Sequence, residues 1–168
     1  MEYTSIQENQ KPINSDVFSV LGRLPSGLLV LTTRKGELET GMLVSWVMQA
    51  GFKPPSITVA ILQQRFVGEW LSQGCRFALN LLEDGQISLL RQFSRGVAPQ
   101  RDPFSALNIE RTSSGIAILK EALGFIECSP VRYMDSGDHR IFLATVGGGR
   151  LAAERQPMVH VRRSGVHY

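Results

Sequence analysis

Apolar and polar positions in this chain fall mostly into short runs, and the first clear one is Gly-Leu-Leu-Val-Leu-Thr-Thr at 27–33. It is too short, and too β-branched at its end, for a helix, so it reads as a strand. Arg34-Lys35-Gly36-Glu37 is a tight turn into a second strand over 39–45, which predicts a hairpin. Further strands are expected over 56–62, apolar in part on both faces and therefore central, and over 76–82, interrupted only by Asn80. The last third alternates short β segments at 106–111, 115–119, 122–128, 140–146 and 158–162. The separators are turn-rich: Asp135-Ser136-Gly137-Asp138, and Gly147-Gly148-Gly149, which reads as a hairpin turn.

Helical spacing appears in three places. Asn14-Ser15-Asp16 offers N-caps for a helix through Val17, Val20 and Leu21, which should stop near Leu24-Pro25. Residues 65–73 put Phe66, Val67, Trp70 and Leu71 on one face, and Gly74 ends them. Glu83-Asp84 opens a third helix through Ile87, Leu89, Leu90 and Phe93, its acids suiting the helix dipole. Residues 94–104 hold Gly, Pro and Arg and form a loop. Short strands with a few small helices predict a mainly β protein, a β-barrel with peripheral helices. Residues 1–14 read as a tail and 15–168 as one domain.

The other elements are organised around 39–55. An apolar strand, Gly41 to Val44, delivers the hydroxyl of Ser45 and the indole of Trp46, then stops at Gly51-Phe52-Lys53-Pro54-Pro55. Two prolines remove two donors, so that end is a turn or an edge. A strand breaking into such a turn exposes backbone groups able to bind a flat heteroaromatic ligand or a phosphate.

Composition narrows the partners. With 168 residues, 43 % apolar, 20 % charged and net charge +3, the chain can bury a core and favours a small anion over nucleic acid. No run suggests a membrane span, and the polar start lacks a signal-peptide pattern. Cys75 and Cys128, far apart and without CxxC, read as reduced thiols in a cytoplasmic protein. His139, His160 and His167 share no ligand spacing, so no metal is expected. Ser26, Ser45 and Ser164 sit in no nucleophile elbow. Asp135-Ser136-Gly137-Asp138-His139 is a polar turn that delivers an imidazole just before an apolar strand.

Taken in order, Gly-Met-Leu-Val-Ser-Trp at 41–46, Gly-Phe-Lys-Pro-Pro at 51–55, Arg-Phe-Ala-Leu-Asn-Leu-Leu at 76–82, Phe93 with Asp102-Pro103-Phe104, Gly-Phe-Ile-Glu-Cys at 124–128 and Gly-Asp-His at 137–139 resemble the flavin reductase-like family. The likeness runs from about Phe18 to Tyr168. The 42–50 stretch and the ending Arg-Arg-Ser-Gly-Val-His-Tyr are most similar to the C-terminal flavin reductase domain of cyanobacterial flavodiiron proteins. The fold so implied is the FMN-binding split β-barrel, often a homodimer, in which a partner chain would partly cover Trp46, Trp70 and Val-His-Val-Arg-Arg at 159–163. The resemblance implies that Met42, Leu43, Val44, Ser45 and Trp46 lie along the flavin, with Gly51, Phe52 and Lys53 continuing that wall. It places Asn80 and Leu81 beside the flavin, Arg65 on its phosphate with Ser45 able to donate to the same group, Phe104 as a wall from a mobile loop, and His139 near the nicotinamide. Leu43 and Gly51 replace hydroxyl residues of many relatives, which removes two phosphate partners.

The implied activity is an NAD(P)H:flavin oxidoreductase with FMN, or FAD, that passes electrons to free flavin, oxygen or a partner redox protein or domain. The alternatives are a non-catalytic FMN-binding electron relay and a split barrel holding haem or pyridoxine phosphate.

Overall fold

The computed structural model describes residues 14–98, 100–152 and 154–165. The tail before Asn14, and Val166, His167 and Tyr168 of the ending, lie outside the described residues. The described part divides into two compact units, residues 14–25 with 161–165, and Ser26–His160.

In the first unit the caps act as the sequence predicts. Helix α1 spans Ser15–Arg23, and the Asn14 side chain accepts the Asp16 N–H at 3.1 Å. Leu24 turns extended ahead of Pro25, because the proline ring disfavours helical geometry in the residue before it. Gly22 lies against the backbone of Ser164, where a Cβ would sit 2.7 Å away.

The second unit holds eleven strands among its described residues, most of them short. In chain order they are β1 (Ser26–Gly27), β2 (Leu29–Lys35), β3 (Leu38–Val44), β4 (Val47–Phe52), β5 (Pro55–Leu62), β6 (Phe77–Leu81), β7 (Ile109–Arg111), β8 (Ala117–Leu119), β9 (Gly124–Ser136), β10 (His139–Leu151) and β11 (Val159–His160). Helix α2 (Phe66–Ser72) follows β5 and α3 (Ile87–Phe93) follows β6. Seven strands form one antiparallel sheet in the order β3-β2-β6-β9-β10-β5-β4. The fold is mainly β, as the sequence predicts. The β2–β3 hairpin pairs Lys35 with Leu38, and Gly36 takes φ +59, as a two-residue turn requires.

Side-chain alternation along β2 feeds two cores. Leu31 joins Val44, Ile57, Val59, Ile61, Phe77 and Phe142 with Val67 and Leu71 of α2. Val30, facing the other way, joins Leu82, Leu89, Phe93 and Phe104. Each such side chain removed from water contributes roughly 1.5–3 kcal/mol.

Four expectations change. Strand β5 is second from the edge, not central, and buries only its alternate residues Ile57, Val59 and Ile61. Gly147-Gly148-Gly149 is no turn but the interior of β10, which runs to Leu151 with a register shift between Val146 and Gly148. A Cβ on Gly149 would stand 2.6 Å from the Phe125 carbonyl, so strand packing there requires glycine. Helix α3 begins at Ile87, not Glu83. The Glu83 N–H is taken by Gln86 Oε1 at 2.9 Å and its carboxylate by Arg155, which holds it in a turn completed by Gly85 at φ +86. The strand expected over 122–128 continues to Ser136, because β10 pairs along its whole length.

Candidate functional site

Three elements bring the site together around the C-terminal end of β5. Leaving β3, Trp46 accepts the Ala60 N–H on its carbonyl at 3.0 Å, which seats it beside β5. On the other side β10 begins with His139 opposite Leu62. The indole and imidazole therefore meet, with centroids 4.6 Å apart and planes inclined by 37°.

His139 is 7 % exposed, although it follows an exposed turn. Its Nδ1 lies 2.6 Å from Asp138 Oδ1. An ionised carboxylate only accepts, so Nδ1 carries the donated proton while Asp138 is charged. That bond is the main reason the Asp138 carboxyl is held below the usual carboxylate range. The turn itself is anchored. Gln63 donates its N–H to the Asp138 carbonyl at 2.9 Å and its side-chain amide to the Gly137 carbonyl at 3.1 Å. One residue on, Arg140 donates to Asp135 and to Ser72 of α2, both at 2.8 Å, and covers the Tyr133 ring at 4.4 Å. The Asp135 bond is foremost in raising the Arg140 pKa. His139 thus stands on a strand end pinned to both α2 and the β5–α2 loop.

The same loop leads into a cleft of about 290 Å³, walled by residues 40–42 of β3, 64–67 and 95–98. Arg65, immediately before α2, donates Nη1–H to the Arg95 carbonyl at 2.7 Å. Two further bonds hold the loop after α3 to the edge of β3: Thr40 Oγ1–H to the Val97 carbonyl at 2.6 Å and the Val97 N–H to the Gly41 carbonyl at 3.2 Å. Gly96, at φ +70, lets that loop pass close to Arg65, since a Cβ there would lie 3.4 Å from Nη1. The wall carries two arginines and no carboxylate.

The structure brings Met42 and Arg65 into this cleft, and Trp46 and His139 into one ring pair at the neighbouring end of β5. Ser45 is buried between Val44, which belongs to the barrel core, and Trp46. Leu43 packs against the second core. Other expected residues lie apart. Gly51, Phe52 and Lys53 are at the far end of β4, where Phe52 pairs with Pro55, about 16 Å along β5 from Ala60 at ~3.3 Å per residue. Asn80 is fully buried and all its polar atoms are engaged: its amide donates to the Val30 carbonyl at 3.0 Å and Thr32 Oγ1 at 3.2 Å, and its oxygen accepts the Leu119 N–H at 2.9 Å. Leu81 borders a different, apolar groove with Leu29, Phe125 and Leu151. Phe104 is buried 6.4 Å from Phe93 in the second core. Trp70 is buried in the chain's own interior against Phe66.

Sequence reasoning missed Arg95, Gly96 and Thr40. The signal for the first two was an Arg-Gly pair directly after an amphipathic helix. Among the described residues no cluster of His, Cys, Asp or Glu has the makings of a metal site, and no helix is long and apolar enough to cross a membrane.

Residues 21–167 match the flavin reductase like domain. Diflavin flavoprotein A 1 of Synechocystis sp. is 38 % identical over 160 residues, covering 94 % of this chain and 28 % of that protein. The chain thus spans little more than a quarter of the curated relatives it matches. Among solved structures, the NADH:FAD oxidoreductase SgcE6 of Streptomyces globisporus C-1027 superposes with a TM-score of 0.78 at 26 % identity, over 84 % of this chain and 85 % of that one. The styrene monooxygenase flavin reductase of Pseudomonas putida S12 does so with a TM-score of 0.72 at 24 % identity, over 85 % and 90 %, and shares the fold.

Proposed function

Since the chain belongs to the flavin reductase-like domain family and is an oxidoreductase of that type, we propose that it binds FMN at the cleft beside α2 and reduces it with NAD(P)H. The observation that carries this reading is a carboxylate-free cleft holding Arg65, joined through the β5–α2 loop, whose Gln63 bonds Gly137 and Asp138, to the strand end bearing the Trp46–His139 pair. The residues fit such a cofactor by their chemistry. A guanidinium matches a phosphate monoester, and Met42, Phe66 and Val67 give the same cleft an apolar side. A bound flavin would supply the redox chemistry, accepting a hydride and passing electrons on. The protein supplies position. Arg65 holds the phosphate, the half-buried Trp46 and buried His139 rings border the reacting end, and the Asp138 bond fixes which His139 nitrogen carries the proton. His139 orients the donor rather than serving as a base.

The onward acceptor is free flavin, oxygen or a partner redox centre. A relative named diflavin flavoprotein, more than three times longer, supports the last of these. Exposed Met48 and Phe52 on edge strand β4, with Val131 and Met134 on β9, support a homodimer. A sedimentation mass of one chain would refute that assignment. The deciding experiment is an anaerobic visible spectrum after adding FMN and then NADH or NADPH. Retained flavin that bleaches on adding nicotinamide supports the reductase. Flavin that binds but stays oxidised makes the chain an electron relay instead, and a protein that leaves the FMN spectrum unperturbed overturns both.

A further inference from the structure

Arg65 and Arg95 are the charged residues lining the cleft, and neither forms an ion pair with a carboxylate among the described residues. Four other arginines do meet carboxylates: Arg111 with Glu39, Arg140 with Asp135, Arg150 with Glu110 and Arg155 with Glu83. Two guanidiniums sharing a cleft repel one another, and the Arg65 bond to the Arg95 carbonyl holds the Arg65 guanidinium against the Arg95 backbone. Nothing acidic in the wall offsets this charge. An anion does, and one with two charges does so completely. Arg65 spends one of its five N–H groups on the carbonyl and keeps others for a ligand.

Resting on the reading of this cleft as the cofactor site, we infer that Arg95 is a specificity-determining residue: with Arg65 it selects a terminal phosphate monoester, and so discriminates phosphorylated from unphosphorylated ligand. The bonds from Thr40 and to Gly41 hold the segment bearing Arg95 in place before a ligand arrives, and Gly96 gives it the close approach. Preorganisation of this kind lowers the ordering cost of binding. The monoester has two sources in this chemistry, the 5′-phosphate of a flavin mononucleotide and the 2′-phosphate of a nicotinamide dinucleotide.

The test compares Arg95→Ala with wild type, and Arg91→Ala, exposed on α3, as a control for general loss of charge. Arg95 is exposed and its side chain packs in no core, so the variant keeps the fold. Four ligands are titrated: FMN and riboflavin by flavin fluorescence, NADPH and NADH through KM. If the flavin phosphate is the one held, FMN affinity falls roughly tenfold or more while riboflavin affinity is unchanged. If the dinucleotide phosphate is held, KM for NADPH rises by a similar factor and KM for NADH does not. Equal losses for phosphorylated and unphosphorylated ligands, no loss for either, or the same loss in Arg91→Ala, overturn the inference. Should wild type bind no flavin, the functional reading fails by itself. Line broadening of inorganic phosphate in ³¹P spectra then decides the cleft: broadening by wild type that Arg95→Ala abolishes upholds it, and equal spectra refute it.

Discussion

Replacing Asn80 separates a role in the fold from a role in binding. Its side chain joins β6 to β2 through the Val30 carbonyl and Thr32 hydroxyl, and to β8 through the Leu119 N–H. Asn80→Ala removes three buried hydrogen bonds, worth about 1 kcal/mol each, and leaves the Leu119 N–H without its partner. The expected loss is about 3–4 kcal/mol, a large share of the roughly 5–15 kcal/mol that holds a domain together. Asn80→Asp, nearly isosteric, is expected to be worse at neutral pH. The single hydrogen of the Thr32 hydroxyl is committed to the Ala117 carbonyl at 2.6 Å, so Thr32 can only accept from residue 80. A carboxylate there faces two acceptors and is desolvated, which raises its folded pKa above the unfolded value of about 3.9. The penalty therefore shrinks as pH falls through that raised value, when the protonated acid can donate one bond. Urea unfolding at pH 7 and pH 5, followed by tryptophan fluorescence, reads both effects, and an FMN titration on folded protein reads binding. Asn80→Asp as stable as wild type at pH 7, or Asn80→Ala that loses FMN affinity with an unchanged unfolding midpoint, would refute this reasoning.

Asp138, held below the usual carboxylate range by His139, favours the folded state above that range and ceases to do so as pH falls through its lowered value. Asp138→Asn should therefore blunt the acid-side loss of native tryptophan fluorescence below about pH 4, and an acid limb identical to wild type would contradict this. Burial pushes the Cys128 thiol up to about 12, while Cys75 is half-buried. A thiol-reactive disulfide reagent at pH 8 should thus label one cysteine of the native chain promptly and the second only after unfolding. Stability should decline as pH rises above the ordinary thiol value near 8.5. Gly41→Ala places a Cβ 2.6 Å from the Phe93 ring inside the second core. It should cost about 1–3 kcal/mol in denaturant unfolding, and a neutral effect would mean that the ring has room to move.

How legible the molecule was depended on how local the governing physics is. The Asn14 cap, the Gly36 hairpin and the strand-helix order from β5 to β6 are set by neighbours in sequence, and the residues announced them. Gly147-Gly148-Gly149 misled because a turn and a close strand contact both demand glycine, and the Phe125 carbonyl that decides between them lies over twenty residues away. Asn80 looked like a polar interruption meant for a ligand, but its partners come from β2 and β8. Phe104 sits in a loop rich in turn residues yet is claimed by the second core. Within the candidate site, His139 and Trp46 were each visible, and it took β5 running between them to show that they touch. Arg95 was passed over because the role proposed for it rests on a cleft wall without acids, a property of the assembled cleft and not of the string.

The place of the β9–β10 hairpin in the strand order also constrains how the protein is made. Strand β6 can pair only with β2, and β5 only with β4, until Gly124 and the residues after it leave the ribosome. By then the two earlier hairpins each present an unfilled edge, and Phe77, Leu79, Ile57 and Val59 lack the surface that will bury them. At about 5–20 residues per second the hairpin needs a few seconds to emerge. Joining the two halves of the sheet is then a late event, in which the strand bearing His139 arrives together with the seam that unites them.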